Sequence, residues 1–203
     1  KAEGVDLISF NKDAMSVEKR MAMMQEIKEK LGDAGKIRLL LHSIAKGNLK
    51  PMIADERPAL QNNDLHLTLE TMAISLYDWT KLIFDNNLFT ADARIISFTS
   101  QGNTKAWKGY AAVSAAKAAL EAISRNIALE FAAHGIRANC IQAGATDTVS
   151  FRMIPGHEEL KERSIKQNPF KRLTTPEDIA NVVYLLCKDE AAWINGTVII
   201  ADG

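Results

Sequence analysis

Three side chains that can take part in proton transfer occur close together in the middle of the chain. Ser100 is followed ten residues later by Tyr110, and Lys117 stands seven residues beyond the tyrosine. A nearby ammonium favours the ionised phenol, which makes a tyrosine a better proton donor or oxyanion partner at neutral pH. Seven residues advance a helix by about 700°, so Tyr110 and Lys117 are predicted to share a face. A surface tyrosine and an unrelated lysine on an alanine-rich helix are the alternative interpretation.

The residues around this pair resemble a known family. The run FTSQGNTKAWKGYAAVSAAKAALEAISRNIALEFAAHGIRANCIQAGATDT, residues 98–148, is similar to the catalytic half of the short-chain dehydrogenases/reductases. The spacing of Tyr110 and Lys117 resembles the enoyl-acyl-carrier-protein reductase branch. The commoner carbonyl reductases place the tyrosine four residues before the lysine, where this chain has Val113, which cannot donate a proton. In an enoyl thioester the charged oxygen is two carbons from the β-carbon that takes the hydride, so a hydroxyl displaced by about one helical turn suits the longer reach.

The resemblance implies a role for each site residue. Tyr110, Ser100 and Lys117 would be catalytic: Tyr110, supported by Ser100, would stabilise the enolate oxygen, and Lys117 would hold the nicotinamide ribose hydroxyls. The cofactor would be NADPH or NADH, and NADPH is favoured because Ser100 matches an NADPH-using subtype. The substrate-binding residues would be Gln101, Tyr110, Phe151 and Met153. Besides Lys117, the residues implied to bind the cofactor are Asn11, Ser43, Ile44, Ala45, Gly144, Ala145, Thr146 and Thr148.

Strands and helices are predicted to alternate along the chain. Short apolar runs predict strands at 5–10, 37–44, 94–100, 136–142 and 197–201. Apolar residues at helical spacing predict helices at about 16–31, 67–87, 110–133 and from 176 to about 188. Ser16 is a predicted N-cap, and Thr175, Pro176 and Asp178 form a helix start signal. Residues 46–66 are predicted to be a loop, and 144–172 an irregular substrate-binding loop region.

This alternation predicts an α/β fold, a Rossmann-type doubly wound parallel sheet whose ligands lie at the carboxyl ends of the strands. The eleven glycines form no G-x-G-x-x-G or G-x-x-x-G-x-G pattern. We therefore expect a glycine-rich βαβ portion of a longer protein to precede Lys1. Residues 1–203 would then be a single Rossmann-type domain that is incomplete on its N-terminal side.

The composition excludes several other kinds of protein. Lys plus Arg equal Asp plus Glu at 25 each, so we expect neither nucleic-acid nor membrane binding. No apolar run approaches the roughly 18 residues of a membrane span. Cys140 and Cys187 have no metal or redox spacing, which favours reduced core thiols in a cytoplasmic protein. The four histidines lack paired ligand spacing, so we expect them at the surface or in caps, and we expect no metal site.

The resemblance as a whole implies an enoyl-acyl-carrier-protein reductase of fatty acid synthesis, which reduces the trans-2 double bond of an enoyl thioester with hydride from NAD(P)H. Its partners would be an acyl-carrier-protein or coenzyme A thioester and further copies of itself. The helices near 67–87 and 110–133 would form the interfaces of a homotetramer. Two alternatives remain: a short-chain carbonyl or alcohol oxidoreductase, and a catalytically inactive Rossmann scaffold that binds a partner.

Overall fold

A parallel sheet forms the centre of the molecule in the computed structural model, which describes residues 4–56, 58–154 and 156–203. Its strands within these ranges are β1 (Ile37–His42), β2 (Phe89–Thr99), β3 (Ile136–Ala143) and β4 (Val198–Ala201). They lie in the order β1-β2-β3-β4, and each neighbouring pair is parallel. Their carboxyl ends therefore meet at one edge of the sheet, where α/β folds bind ligands.

Helices connect the strands. They are α1 (Val17–Leu31), α2 (Asn62–Leu69), α3 (Ser75–Asp85), α4 (Ala111–Glu130), α5 (Val149–Arg152), α6 (His157–Gln167) and α7 (Pro176–Leu186). A π-helical turn at Glu70–Ile74 joins α2 to α3. Short 3-10 turns follow β2, α4 and α7 at Gln101–Asn103, Ala132–His134 and Asp189–Ala191. Within the described residues, no helix is both long enough and apolar enough to cross a membrane.

The sheet is covered by helices on both faces. Successive strand residues point to opposite faces, and in β2 Ile95 packs with the α3 and α4 side while Ile96 packs with the α7 side. On the first side Leu76 and Leu120 are fully buried against the sheet. Because both faces are covered, most of β3 and most of the second half of β2, from Ala93 to Thr99, are buried. The predicted doubly wound parallel α/β fold is confirmed.

Two predicted helix starts are confirmed by their caps. The Ser16 hydroxyl accepts a hydrogen bond from the Lys19 amide at the start of α1. Thr175 and Asp178 form a reciprocal capping box around Pro176 at the start of α7. These side chains satisfy amides that the first turn of a helix leaves without partners.

The predicted strand at 5–10 is wrong. These residues are neither helix nor strand, and Val5 and Leu7 are 67% and 69% exposed. A strand needs a hydrogen-bonded neighbour. In the doubly wound order 3-2-1-4-5-6 this segment would be strand 3 and β1 would be strand 4, so two strands would lie between them. No strand of the described residues fills the two places between them, so an apolar run alone does not produce a strand here.

Other element boundaries differ from the prediction. The helix predicted at 67–87 already begins at Asn62, because Gln61 and Asp64 form a capping box in what was predicted as loop 46–66. Strand β2 begins at Phe89, five residues early, although it carries Asp92. Ion pairs with arginines, including Arg94, offset that carboxylate. The irregular region 144–172 contains α5 and α6.

A few predicted positions have a different status. Cys187 is only half-buried and caps the end of α7, whereas Cys140 is buried on β3 as predicted. The predicted loop and substrate-binding regions include Arg57 and Pro155, which lie outside the described residues, as do residues 1–3.

Candidate active site

Tyr110 stands just before α4, at the carboxyl edge of the sheet. It is the N-cap residue, with φ −106° and ψ 2°, so the helix begins one residue later than predicted. Its ring stacks on Trp107 with centroids 4.9 Å apart and planes 10° from parallel. Its hydroxyl lies 3.3 Å from the Ser100 hydroxyl. The structure therefore brings together two of the three polar groups that the sequence singles out.

Burial sets the proton affinity of this tyrosine. The pKa of Tyr110 is raised because burial disfavours the phenolate, and the hydrogen bond from Ser100 opposes this effect only in part. The sequence-based expectation of a phenol shifted toward ionisation is not met, because burial has the largest effect on the pKa of Tyr110 and raises it. At neutral pH Tyr110 is a protonated phenol, which is the form that donates a hydrogen bond to an oxygen.

The turn after β2 fixes Ser100. This residue caps the 3-10 turn, and its hydroxyl accepts a hydrogen bond of 3.1 Å from the Gly102 amide. A Cβ atom at Gly102 would overlap the Cε1 atom of the Tyr110 ring. Only glycine at position 102 therefore leaves room for the phenol beside Ser100.

Lys117 is buried on α4, and 8% of its surface is exposed. Its ammonium donates a hydrogen bond of 2.6 Å to the Phe98 carbonyl oxygen in β2. Burial lowers the pKa of Lys117 to about 8, and the interactions with Cys140 and Glu121 oppose this shift. The bond to Phe98 uses one of the three ammonium donors, so two remain for a ligand.

Val113, four residues before Lys117, faces the protein interior. It is 4% exposed and packs with Met72 and Ala116. Neither its chemistry nor its place allows it to donate a proton to a ligand.

His42 differs from its predicted place at the surface or in a cap. It ends β1, is 4% exposed, and its Nε2 atom lies 2.7 Å from the Ser75 hydroxyl. Burial, reinforced by the positive charge of Lys117, lowers the pKa of His42 to about 4, so the ring is neutral at neutral pH. The apolar run IRLLLH gave no sign of this hydrogen bond, because its partner comes from a distant helix.

Gln101, predicted to bind substrate, is held by the last strand. Its amide nitrogen donates to Asp202 at 2.9 Å, and Gln142 at the end of β3 donates to the same carboxylate at 3.3 Å. Lys105 donates to the Gln101 amide oxygen at 3.0 Å. Asp202 thus ties together the ends of three strands, a role that the sequence analysis missed because the residue is distant from the others along the chain.

Except for Asn11 and the helical Lys117, the residues predicted to bind the cofactor follow β1 or β3 at the carboxyl edge of the sheet. Ser43 and Ala45 follow β1 and are exposed, while Ile44 is half-buried. After β3, the half-buried residues are Gly144, Ala145 and Thr146, and Thr148 and the distant Asn11 are exposed. Exposed backbone and hydroxyl groups at this edge, near a buried ammonium with two available donors, fit the phosphates and ribose hydroxyls of a nicotinamide nucleotide.

The segment after β3 is organised around Asp147. Its carboxylate accepts hydrogen bonds from Arg152 in α5 at 2.6 Å and from Lys161 in α6 at 3.0 Å. These bonds lower the pKa of Asp147 to about 2. The hydroxyl of Thr148 caps α5, so it already accepts one hydrogen bond from the Phe151 amide.

The two apolar residues predicted to bind substrate have different surroundings. Phe151 is buried and packs edge-on against His157, whereas Met153 is 76% exposed. A groove of about 760 Å³ opens instead beside Tyr110. Its walls include Pro51, Met52, Ile53, Trp107 and Tyr110. Trp107 was not singled out from the sequence, although its position three residues before Tyr110 could have indicated a contact.

Within the described residues, no three His, Cys, Asp or Glu side chains are grouped so that they could hold a metal ion. The ionisable side chains near Lys117 lie on different helices and strands, and each forms a hydrogen bond with another protein group. They include His42, Glu121 and Cys140.

Known proteins resemble this chain in sequence. The profile of the family described as "Enoyl-(Acyl carrier protein) reductase" matches residues 1–203. An acetoacetyl-CoA reductase of Shinella zoogloeoides is 36% identical over 135 residues, 66% of this chain and 56% of that protein. An NADH-dependent enoyl-[acyl-carrier-protein] reductase of Aquifex aeolicus is 37% identical over 108 residues, 53% of this chain and 40% of that protein.

A solved structure has the same fold. The Bacillus cereus enoyl-acyl carrier protein reductase, determined with NADP+ and an indole naphthyridinone, superposes with a TM-score of 0.83 at 25% identity. The match covers 94% of this chain and 72% of that one. The chain spans about half the length of the two curated relatives. Since the family profile matches every residue, the chain belongs to the enoyl-(acyl carrier protein) reductase family of the short-chain dehydrogenases/reductases.

Proposed function

We propose that the protein reduces the trans-2 double bond of an enoyl thioester with hydride from NAD(P)H in fatty acid synthesis. The thioester would be carried by acyl-carrier protein or coenzyme A. The observation that carries the proposal is the hydroxyl pair of Tyr110 and Ser100, 3.3 Å apart. The position of the usual proton donor in carbonyl reductases is held by the buried Val113.

Tyr110 and Ser100 would act on the thioester oxygen. Reduction at the β-carbon moves negative charge to that oxygen, and hydrogen-bond donors already aimed at it stabilise the charge. The phenol of Tyr110 is protonated because burial raises its pKa. It can therefore donate a hydrogen bond to the oxygen as the charge develops, and Ser100 can donate a second one.

Lys117 would hold the nicotinamide ribose, and the strand ends would hold the rest of the nucleotide. When bound, the nucleotide supplies the hydride. Ser43, Ile44 and Ala45 would contact the adenine-side ribose, and Asn11 the adenine. After β3 the contacts with the pyrophosphate and carboxamide would come from Gly144, Ala145, Thr146 and Thr148. The Bacillus cereus reductase was crystallised with NADP+, which supports NADPH as the cofactor, with NADH as the alternative.

The groove beside Tyr110 would cover the acyl chain. An acyl chain needs apolar surroundings, and the exposed side chains of Met52 and Ile53 offer such surface together with the Trp107 ring. Phe151 and Met153 of the α5 segment remain predicted to contact the acyl chain. Gln101, which follows β2, remains predicted to make a polar contact with the substrate.

The outer faces of α3 and α4 would pack against another copy in a homotetramer. Between these helices lies a groove of about 310 Å³ whose lining includes Ile74, Tyr77, Ile123 and Phe131. Ile74 and Tyr77 are 40% and 46% exposed, and burying such apolar surface between copies would be favourable. The proposal requires a sedimentation mass of four chains, and a monomeric mass would contradict it.

A comparison of two thioesters tests the reaction. We expect the full-length protein to oxidise NADPH in the presence of crotonyl thioester, at a rate at least about tenfold above that with acetoacetyl thioester. The same assay with NADH tests the cofactor preference. Turnover with acetoacetyl thioester alone would contradict the proposal. Failure of NADPH to quench the tryptophans, together with no turnover, would instead indicate a scaffold without cofactor.

The second candidate function is reduction of a carbonyl group. The similarity to the acetoacetyl-CoA reductase of Shinella zoogloeoides favours it. Val113 opposes it, because a hydroxyl at that position is needed for proton donation beside a carbonyl carbon.

Gly102 offers a test of the place of the phenol. We expect Gly102→Ala to lower turnover by about 10- to 100-fold, because the added methyl group must displace the Tyr110 ring from Ser100. Steady-state kinetics with crotonyl thioester measures the loss. Tryptophan quenching by NADPH should be almost unaffected, since Gly102 is not among the residues proposed to bind the nucleotide. Turnover within twofold of the natural protein would show that the ring does not need this position.

A further inference from the structure

One face of α4 forms hydrogen bonds with residues 98–103, the segment that carries Ser100. The residues that make these bonds are Ser114, Lys117 and Glu121, whose spacing places them on neighbouring turns of one helix face. Ser114 donates to the Gly102 carbonyl oxygen, and Lys117 donates to the Phe98 carbonyl oxygen. Glu121 supplies two further hydrogen bonds to the segment, and it has no role in the proposed reaction described above.

The Glu121 carboxylate holds residues on both sides of Ser100. One oxygen, Oε1, accepts hydrogen bonds from the Thr99 hydroxyl and from the Asn103 side-chain amide. Thr99 directly precedes Ser100, and the Asn103 backbone amide donates to the Ser100 carbonyl oxygen at 3.2 Å. Glu121 is 9% exposed, so water competes little for these bonds. Glu121 therefore fixes the turn from which the Ser100 hydroxyl reaches Tyr110.

Glu121 also stands one helical turn after Lys117. Two ionisable groups of the sheet interact with that ammonium: Cys140 on β3 affects the pKa of Lys117, and Lys117 affects the pKa of His42 on β1. His42 is neutral at neutral pH, since its pKa is lowered to about 4. Burial raises the pKa of Cys140, so its thiol keeps its proton. Glu121, one helical turn away, favours the ammonium form of Lys117.

We propose that Glu121 is a positioning residue of this site, whose carboxylate clamps the turn carrying Ser100 and whose charge acts on Lys117 one helical turn away. The proposal rests on the proposed function for the identity of the reaction. The clamp and the charge are properties of the chain itself and can be measured without turnover.

Two substitutions separate the clamp from the charge. Glu121→Gln keeps a carbonyl oxygen that can accept from Thr99 and Asn103, but it removes the negative charge. Glu121→Leu removes both. Glu177→Gln, on the exposed first turn of α7, is the matched control for loss of a carboxylate.

The first measurement is the titration of Lys117. In protein labelled with ¹³C at lysine Cε, with the signal assigned by Lys117→Met, we expect Glu121→Gln to lower the titration midpoint of Lys117 by about one pH unit. The alkaline limb of the pH profile of turnover should move to lower pH by the same amount. The control should leave both midpoints unchanged. An unchanged Lys117 midpoint in Glu121→Gln would overturn the charge part of the proposal.

The second measurement is hydrogen exchange of the amides of residues 98–103. Exchange should accelerate at least about tenfold in Glu121→Leu and stay near the natural rate in Glu121→Gln. Turnover of the Leu variant should fall at least tenfold at every pH, with kcat affected more than KM. Natural exchange rates in a folded Leu variant would overturn the clamp. If the Leu variant does not fold, a Gln variant with accelerated exchange overturns it, and one with natural exchange supports it.

The inference and the proposed function can fail separately. A natural protein without activity on enoyl thioesters would contradict the proposed reaction, but the Lys117 titration and the exchange rates would still decide the role of Glu121. Conversely, crotonyl-dependent turnover with an unchanged Lys117 midpoint in Glu121→Gln and natural exchange rates in Glu121→Leu would leave the reaction standing and remove Glu121 from it.

Discussion

A Tyr110→Phe variant is expected to lose about 10²- to 10³-fold in turnover with crotonyl thioester. The phenylalanine ring can still stack on Trp107, so the packing that places the residue is kept. What is lost is the hydroxyl 3.3 Å from Ser100. Because a buried, protonated phenol donates to the oxygen only as charge develops there, the loss should fall on kcat more than on KM.

Tyr184→Phe is the matched control for this substitution. Tyr184 lies on α7 and is 59% exposed, so removal of its hydroxyl should leave turnover unchanged. Quenching of the tryptophans by NADPH should be similar in both variants, since neither removes Lys117. Full turnover in Tyr110→Phe would exclude the hydroxyl from the chemistry, and the hydroxyl pair would then have to be regarded as structural.

The sequence predicts the parts of this molecule that depend on neighbouring residues. Helices α1 and α7 start where Ser16 and Thr175 can cap them, and these caps are formed within three residues. The pairing of Ser100 with Tyr110 is short-range as well, because one turn and the start of one helix carry both. Family resemblance adds which reaction such a pair can serve, which spacing alone does not give.

The predictions that are wrong concern features that depend on residues distant in the chain. Residues 5–10 are apolar enough for a strand, but a strand also requires neighbours in the sheet. His42 is buried because Ser75, 33 residues away, offers a hydrogen bond in the interior. The raised pKa of Tyr110 follows from the degree of burial, which no local pattern reveals.

Glu121 illustrates the difference between what the sequence predicts and what only the fold determines. Its spacing of four residues from Lys117 on a predicted helix was visible in the sequence and is the spacing of a helical ion pair. Its hydrogen bonds to Thr99 and Asn103 could not be predicted from the sequence, because they require α4 to lie across the end of β2. The sequence thus indicates which residues share an element, and the fold decides which segment that element holds.

Lys117→Met is expected to make the protein more stable and less active. Burial lowers the pKa of Lys117 from 10.5 to about 8, a value that already includes the favourable effect of Glu121. Such a lowering means that the charged form costs about 3 kcal/mol in the folded protein at neutral pH. Methionine fills a similar volume without that cost, but the Phe98 carbonyl oxygen loses its donor, which costs about 1 kcal/mol. We expect a net gain of about 1 to 2 kcal/mol in the free energy of unfolding at pH 7.

The gain in stability of Lys117→Met should decrease as the pH rises. Between pH about 8 and 10.5 the unfolded chain holds the Lys117 proton and the folded protein has released it. Stability of the natural protein therefore rises with pH across this window, relative to a variant that has no group titrating there. The destabilising cost is fully present below pH about 8. The advantage of Lys117→Met should consequently be largest at pH 7 and should shrink toward pH 10.5.

Urea unfolding at pH 7 and at pH 10 measures this difference, with Lys19→Met as the control. Lys19 is exposed on α1, so its replacement should change stability by less than about 0.5 kcal/mol at either pH. NADPH should bind Lys117→Met at least about tenfold more weakly, since the ammonium donors to the ribose are gone. A variant that is less stable at pH 7 and shows no change with pH would mean that the buried ammonium is fully compensated. Lys117 would then have a structural role. A variant that is more stable but inactive would mean that the buried charge destabilises the protein and is needed to bind the cofactor.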